Sequence, residues 1–136
     1  MYTRESIALC EYRLEKAHLF LQDAKKTLEL EMYDSTANRS YYSVFHATRA
    51  VLALAEIDSK KHSGVIRHFQ KEYIKTNVFD KRLSEIITHA FRLRTQSDYQ
   101  DFYIVAKEDV AEQVADAEYF YNTIYAYVQD AIKTSE

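Results

Sequence analysis

Arg39 and His46 are the two side chains whose types and spacing best suit chemistry on a phosphate group. Seven positions are about two turns of an α-helix, so both would project from nearly the same side, roughly 10 Å apart along the axis. Arginine binds phosphate through a planar fork and stays charged, whereas histidine titrates near neutral pH and can move a proton. The pair therefore suits phosphodiester cleavage, with Arg39 holding the phosphate and His46 acting as acid or base. Tyr42 and Ser43 add hydroxyl groups on the same face.

The same pair also has a structural interpretation. An arginine and a histidine on a half-buried helix are often partners in the hydrogen-bond network of an interface, and catalytic pairs are the rarer case. The spacing alone leaves both interpretations open.

The helix that carries the pair is predicted over about residues 35–57. It lacks the polar, solvent-exposed face that a surface helix normally has. With Arg39 as origin and about 100° per residue, the opposite side holds a core stripe: Tyr41, Val44, Phe45, Thr48, Val51, Leu52 and Ala55. The side of Arg39 holds small and aromatic residues, not Lys and Glu: Tyr42, Ser43, His46, Ala50, Ala53 and Ile57. Such a helix is buried on both sides, which requires a partner chain, a fifth element or a ligand pocket. We favour a homodimer contact, because small residues allow close approach and two-fold dimers are common.

The elements that must position this helix are also helical. Apolar periodicity predicts five helices, over about residues 4–32, 35–57, 62–75, 80–96 and 107–133. The single Gly and the absence of Pro argue against the many tight turns of a β fold. We predict one domain over residues 1–136, an all-α antiparallel up-and-down four-helix bundle in which the 62–75 helix is a short addition.

Composition limits the other possibilities. Cys10 is the only cysteine, which excludes an internal disulfide and a cysteine-based zinc site. The chain shows neither a P-loop nor a Gly-rich dinucleotide motif, so we predict no cofactor and no metal. It has no long apolar run and no signal-peptide pattern at its start, which predicts a soluble, cytoplasmic protein without a membrane partner. Residues 60–82 hold seven Lys/Arg against two acids, although the net charge is −3, which points weakly to an anionic ligand.

Three segments resemble motifs of HEPN-domain proteins, in the branch paired with minimal nucleotidyltransferases. Asn38 to Ala47 reads NRSYYSVFHA. Lys61 to Ile66 reads KHSGVI, with Phe69 after it. Arg94 to Tyr99 reads RTQSDY and is followed by Asp101 and Phe102. The three occur in the family's order and span nearly the whole chain.

The resemblance implies a helical bundle that is usually dimeric. It also implies a metal-independent endoribonuclease, in which an Arg and a His are separated by four to six residues and the 2′-hydroxyl of the RNA attacks the phosphate. Several such proteins are toxins restrained by a nucleotidyltransferase partner. In the best-known toxin branch the motif lies in the C-terminal half of the domain and ends in a Tyr, whereas here Ala47-Thr48-Arg49 follows His46. The alternative is therefore a non-catalytic subunit that binds a nucleotide or docks a nucleotidyltransferase.

Further polar residues complete the predicted substrate site. Arg94 and Asp98 are four apart at a helix end, which suits a salt bridge, or a polar pocket formed with Tyr99. Lys61, His62 and Ser63 would begin the third helix, where free N–H groups attract anions and Ser63 would serve as a cap. The bound ligand would be RNA or a nucleotide, held in part by Lys60, Lys61, Arg67 and Lys71.

Overall fold

The computed structural model describes residues 1–135 and contains five α-helices. They are α1 (Arg4–Glu29), α2 (Tyr33–Leu54), α3 (His62–Phe69), α4 (Lys81–Tyr99) and α5 (Lys107–Ser135). A π-helical turn, Gln70–Ile74, continues α3. The all-α prediction, with four long helices and one short one, is confirmed.

Two helix boundaries differ from the sequence prediction in ways that affect the site. Helix α2 begins at Tyr33, which adds residues ahead of the expected start. Helix α4 continues to Tyr99, so Arg94 and Asp98 form an i,i+4 salt bridge in its last turns, as expected for a pair at a helix end. The cap assigned to Ser63 was wrong, because α3 begins at His62 after Lys61 and no side chain caps its first turn.

Gly64 is the only glycine and lies in the first turn of α3. A Cβ atom at this position would lie 3.0 Å from the Cβ of Ser59 and closer still to its hydroxyl oxygen. The loop before α3 therefore folds tightly against the helix start, and only a residue without a side chain leaves room for it.

Helix α2 is the centre of the molecule and packs against all four other helices. From Ser40 to Leu54, only Tyr42 and Arg49 are not buried. The contacts within the chain thus account for the apolar circumference of α2. The absence of a polar face on α2 is therefore explained without a partner chain bound to this helix.

Three buried hydrogen bonds fix the neighbouring elements against α2. The Ser43 hydroxyl donates to the Ala17 carbonyl of α1 at 2.8 Å. The Gln113 amide of α5 donates to the Ser40 hydroxyl at 2.6 Å. The Tyr73 hydroxyl donates to the Val51 carbonyl at 3.1 Å. Each bond satisfies a polar group that would otherwise be buried at a cost. No helix in residues 1–135 combines the length and apolar character needed to cross a membrane.

Candidate active site on the second helix

One edge of α2 reaches solvent between α1 on one side and α3 and α4 on the other. Arg39, Tyr42, His46 and Arg49 lie along this edge with the 3-4-3 spacing of a single helix face. We call these four residues the polar stripe of α2. Arg39, Tyr42 and Arg49 are half-buried, and His46, between them, keeps 9% of its surface exposed.

His46 is held by aromatic rings and surrounded by positive charge. Its ring stacks on Phe20 at 5.3 Å between centroids and lies 6.0 Å from Tyr42. Its buried Nδ1 atom makes no hydrogen bond. Burial, followed by the charges of Lys16, Arg49, Arg13 and His62, lowers the pKa of His46 to about 4. The imidazole is therefore neutral near pH 7 and can accept a proton.

A pair of arginines joined by one carboxylate forms the α1 side of the site. Arg13 donates to the Arg49 carbonyl at 3.1 Å, and its guanidinium lies 3.5 Å from Asp58. Arg49 donates to both Asp58 oxygens, at 3.1 and 3.2 Å. Burial opposes ionisation of Asp58, but hydrogen bonds from the Ser59 amide and from Arg49 outweigh it and lower its pKa. This network holds Arg49 one helical turn from His46.

His62 is the second imidazole at the site and comes from the first residue of α3. Its Nδ1 atom is 2.8 Å from the hydroxyl of buried Tyr41, and its ring stacks on Phe45 at 4.1 Å. The Tyr42 ring lies about 6 Å from both histidine rings, at 5.9 Å from His62. Burial, then the charges of Arg94 and Arg49, lower the pKa of His62.

Arg94 of α4 lies on the same side of the site as His62. Its guanidinium contacts two tyrosines and one carboxylate. It donates to the Tyr42 hydroxyl at 2.8 Å, and its Nε lies 3.3 Å from Asp98. The guanidinium also lies over the rings of Tyr41 and Tyr42, 5.3 and 5.5 Å from their centroids. Such stacking is a geometry that arginine prefers. The Asp98 contact thus orients an arginine that also reaches the polar stripe.

The remaining site residues proposed from the sequence form no side-chain hydrogen bond with His46 or His62 within residues 1–135. Arg39 donates to the Asn38 side chain at 2.5 Å and makes no hydrogen bond to His46. Ser43 is buried against α1, so its hydroxyl is structural. Lys61 and Ser63 are exposed at the start of α3. Tyr99 is exposed, with Arg94 6.0 Å from its ring.

Several residues at the site were not identified from the sequence. Arg49 lies three residues after His46, on the adjoining part of the same side of α2, and that spacing is the signal that could have found it. Arg13, Lys16 and Phe20 are brought to the site by the packing of α1, and Asp58 by the loop after α2. The local sequence of these residues carries no signal for the site, because it does not say which helix faces which.

The electrostatic balance of the site favours an anion. Two permanent cations belong to the polar stripe, Arg39 and Arg49, and three more lie beside it: Arg13, Lys16 and Arg94. Among residues 1–135, two carboxylates form salt bridges with these cations, Asp58 and Asp98. The site is therefore locally positive on a chain whose net charge is −3. Within residues 1–135, no group of three or more His, Cys, Asp or Glu residues is arranged to hold a metal ion.

Comparison with known proteins gives one consistent family. The HEPN domain family matches residues 10–127, which include all of α2, α3 and α4. "Putative toxin MJ0142" of Methanocaldococcus jannaschii is 36% identical over 118 residues, covering 87% of this chain and 80% of that protein. A "UPF0332 protein" of Thermotoga maritima is 32% identical over 126 residues, covering 93% and 96%. "Putative toxin MJ0605" of Methanocaldococcus jannaschii is 33% identical over 86 residues, covering 63% and 64%.

The family match covers most of the chain and includes the polar stripe, both histidines and Arg94. Two of these relatives carry the word toxin in their names. The helical architecture agrees with the match, because HEPN domains are helical bundles. This chain belongs to the HEPN-domain family.

Proposed function

We propose that this protein is an endoribonuclease of the toxin type that cleaves RNA at the polar stripe of α2. The observation that carries the proposal is the environment of His46: a neutral imidazole at a solvent-reaching edge, in the field of Lys16, Arg49 and Arg13. Neutral imidazole is the form that can remove a proton from a hydroxyl group, and the cations suit a phosphate.

In the proposed reaction the 2′-hydroxyl of the RNA is the nucleophile. A bond forms between its oxygen and the phosphorus, the bond from phosphorus to the 5′-oxygen breaks, and the products are a cyclic phosphate and a 5′-hydroxyl. His46 accepts the proton of the 2′-hydroxyl. Arg39 and Arg49 bind the phosphate oxygens, whose negative charge grows in the transition state.

His62 is the group we propose for the second proton transfer, to the departing 5′-oxygen. The buried phenol of Tyr41, whose pKa burial raises, stays protonated and lies against Nδ1 of His62. In the acid form both ring nitrogens carry protons, so in this scheme Nδ1 donates to the Tyr41 oxygen and Nε2 gives its proton to the departing oxygen. A phosphate bound at the site would favour that form, because it offsets the charges of Arg94 and Arg49.

Cleavage of a fluorescent RNA by purified protein in the presence of EDTA tests the proposal. We expect Arg39→Ala and His46→Gln each to lower kcat/KM by about 100-fold or more, the scale of a lost acid–base group. Arg92→Ala is the matched control, since Arg92 is exposed on α4 two residues from Arg94. Wild-type rates in both site variants would remove Arg39 and His46 from the chemistry.

The second candidate function is a subunit that binds a nucleotide, or docks a nucleotidyltransferase, without cleaving RNA. The observation that favours it is that Arg39 donates its hydrogen bond to the side chain of Asn38 and not to His46. A wild-type protein that binds RNA or a nucleotide, gains thermal stability on binding and leaves RNA intact would support this function and reject the nuclease. Co-purification with a minimal nucleotidyltransferase from the same cell would identify the proposed partner in either case.

A further inference from the structure

The loop between α2 and α3 carries a carboxylate that binds the last residue of the polar stripe. Asp58 accepts two hydrogen bonds from Nη2 of Arg49, at 3.1 Å to one oxygen and 3.2 Å to the other. The guanidinium of Arg49 also lies 6.0 Å from the centroid of the Phe45 ring. Arginine is among the side chains with the most rotamers, so without such an anchor it would sample many directions. Asp58 therefore selects one direction for Arg49.

Asp58 is itself held from two sides. The backbone amide of Ser59 donates to it at 2.8 Å, and Nη2 of Arg13 lies 3.5 Å from its other oxygen. Arg13 keeps only 8% of its surface exposed, and its Nη1 donates to the carbonyl of Arg49 at 3.1 Å. The direction of the Arg49 side chain is consequently set by α1 and by the loop after α2, and not by α2 alone.

The contact with Asp58 uses only one end of the Arg49 guanidinium. Both hydrogen bonds come from Nη2, which leaves Nη1 of the same planar group for a phosphate oxygen. Arg49 follows His46 by three residues, and its side chain remains 26% exposed. A donor that is already oriented stabilises charge in a transition state without having to reorganise.

The same carboxylate opposes the binding of an anion. The side chain of Asp58 is 58% exposed, and its negative charge lies beside a site that we expect to bind phosphate. Asp58 should therefore weaken the binding of RNA and strengthen its cleavage. A salt bridge that served only the stability of the fold would not produce these two effects of opposite sign.

We propose that Asp58 is a positioning residue that orients Arg49 toward the scissile phosphate, while it weakens the binding of RNA. The effect on cleavage rests on the proposed nuclease function. The effect on the side chain of Arg49 does not, so the two parts are tested separately.

Nuclear magnetic resonance of the Arg49 side chain tests the orientation without any reaction. Its Nε atom is buried and makes no hydrogen bond within residues 1–135, so burial protects its proton from exchange. We expect the order parameter of this N–H group to fall below about 0.6, the range of a flexible group, in Asp58→Asn. Glu56→Gln is the matched control, because it removes one negative charge from an exposed position of the same loop, and it should behave as wild type.

Kinetics with the same variants test the consequence for the reaction. Asp58→Asn should lower kcat for RNA cleavage by about 10–100-fold, somewhat less than the loss of a whole transition-state donor. The dissociation constant of an RNA with 2′-O-methyl groups should fall about threefold, because a nearby negative charge is removed. Glu56→Gln should keep the wild-type kcat, and Asp58→Glu should restore part of the loss caused by Asp58→Asn.

A double variant tests whether Asp58 acts through Arg49. If it does, Arg49→Ala combined with Asp58→Asn should have the same kcat as Arg49→Ala alone. An independent role of Asp58 would instead multiply the two losses.

Four results would overturn the proposal: an unchanged Arg49 order parameter in Asp58→Asn, an equal loss of kcat in Glu56→Gln, weaker RNA binding by Asp58→Asn, or multiplied losses in the double variant. If the wild-type protein leaves RNA intact, the nuclease function fails, and the order parameter alone decides whether Asp58 orients Arg49.

Discussion

At the scale of single residues, the surroundings of His46 determine how readily its imidazole is protonated. Its ring is enclosed by Phe20, Tyr42 and Phe45, and its nearest charges are positive. Both influences disfavour the imidazolium form. The same environment therefore makes protonation of His46 costly for the folded protein.

That cost predicts a pH dependence of stability. The folded-state pKa of about 4 lies below the ordinary value of 6.5, so the unfolded chain binds more protons between these pH values. The free energy of unfolding should therefore fall as pH drops from 6.5 to 4, by roughly 2–3 kcal/mol from this residue. Urea unfolding at several pH values measures it.

His46→Gln should remove most of this dependence, whereas His89→Gln should keep it, because His89 is an exposed histidine on α4. If the free energy of unfolding changed with pH by the same amount in wild type and His46→Gln, the pKa of His46 would not be lowered in the folded protein. The test needs no catalytic activity, so it separates the environment of His46 from its proposed role.

At the scale of elements, the helix ends explain how a chain with one glycine reverses direction. Helices α1 and α2 end in the same hydrogen-bond pattern, in which Met32 donates to Thr27 and Ile57 donates to Leu52. The residues before those donors, Glu31 and Glu56, adopt φ values of 61° and 58°. Glycine is the residue usually found at such positions, because a side chain is strained there.

Replacing Glu31 with glycine should therefore stabilise the protein by about 0.5–1 kcal/mol, since relief of strain exceeds the added flexibility of the unfolded chain. Thermal or urea unfolding measures the change. The same substitution at Glu15, exposed in the middle of α1, should cost about 1 kcal/mol. A loss of stability at Glu31 would mean that its side chain makes a contact worth more than the strain.

At the scale of the whole molecule, an acidic chain brings five of its 18 Lys and Arg residues together around one helix edge. Arg13 and Lys16 come from α1, Arg39 and Arg49 from α2, and Arg94 from α4. The helices bring these charges together from positions up to 81 residues apart. This concentration is the feature that predicts an anionic ligand.

Binding of RNA should accordingly weaken with salt. For a single-stranded RNA with 2′-O-methyl groups, which blocks the proposed attack, the logarithm of the binding constant should fall linearly with the logarithm of salt concentration. Each phosphate contact contributes a slope of about −0.7. Arg49→Ala and Arg94→Ala should each reduce the slope by about that amount, whereas Arg92→Ala should leave it unchanged. Equal slopes for all four proteins, measured by fluorescence anisotropy, would place the RNA elsewhere.

The sequence alone determined the helical class, the number of helices, the family, and the pairing of Arg39 with His46 on one helix. These follow from local periodicity, which the chemistry of neighbouring residues sets. Periodicity could not show that α1, α4 and α5 surround α2, and for that reason the apolar circumference of α2 favours a partner chain over a further element or a pocket when the sequence alone is considered. Only the tertiary structure placed Arg13, Asp58 and His62 beside the polar stripe. It also showed that Ser43 points into the core. Helical periodicity specifies which side of a helix is buried, whereas the neighbour that buries it is decided by the packing of the whole chain.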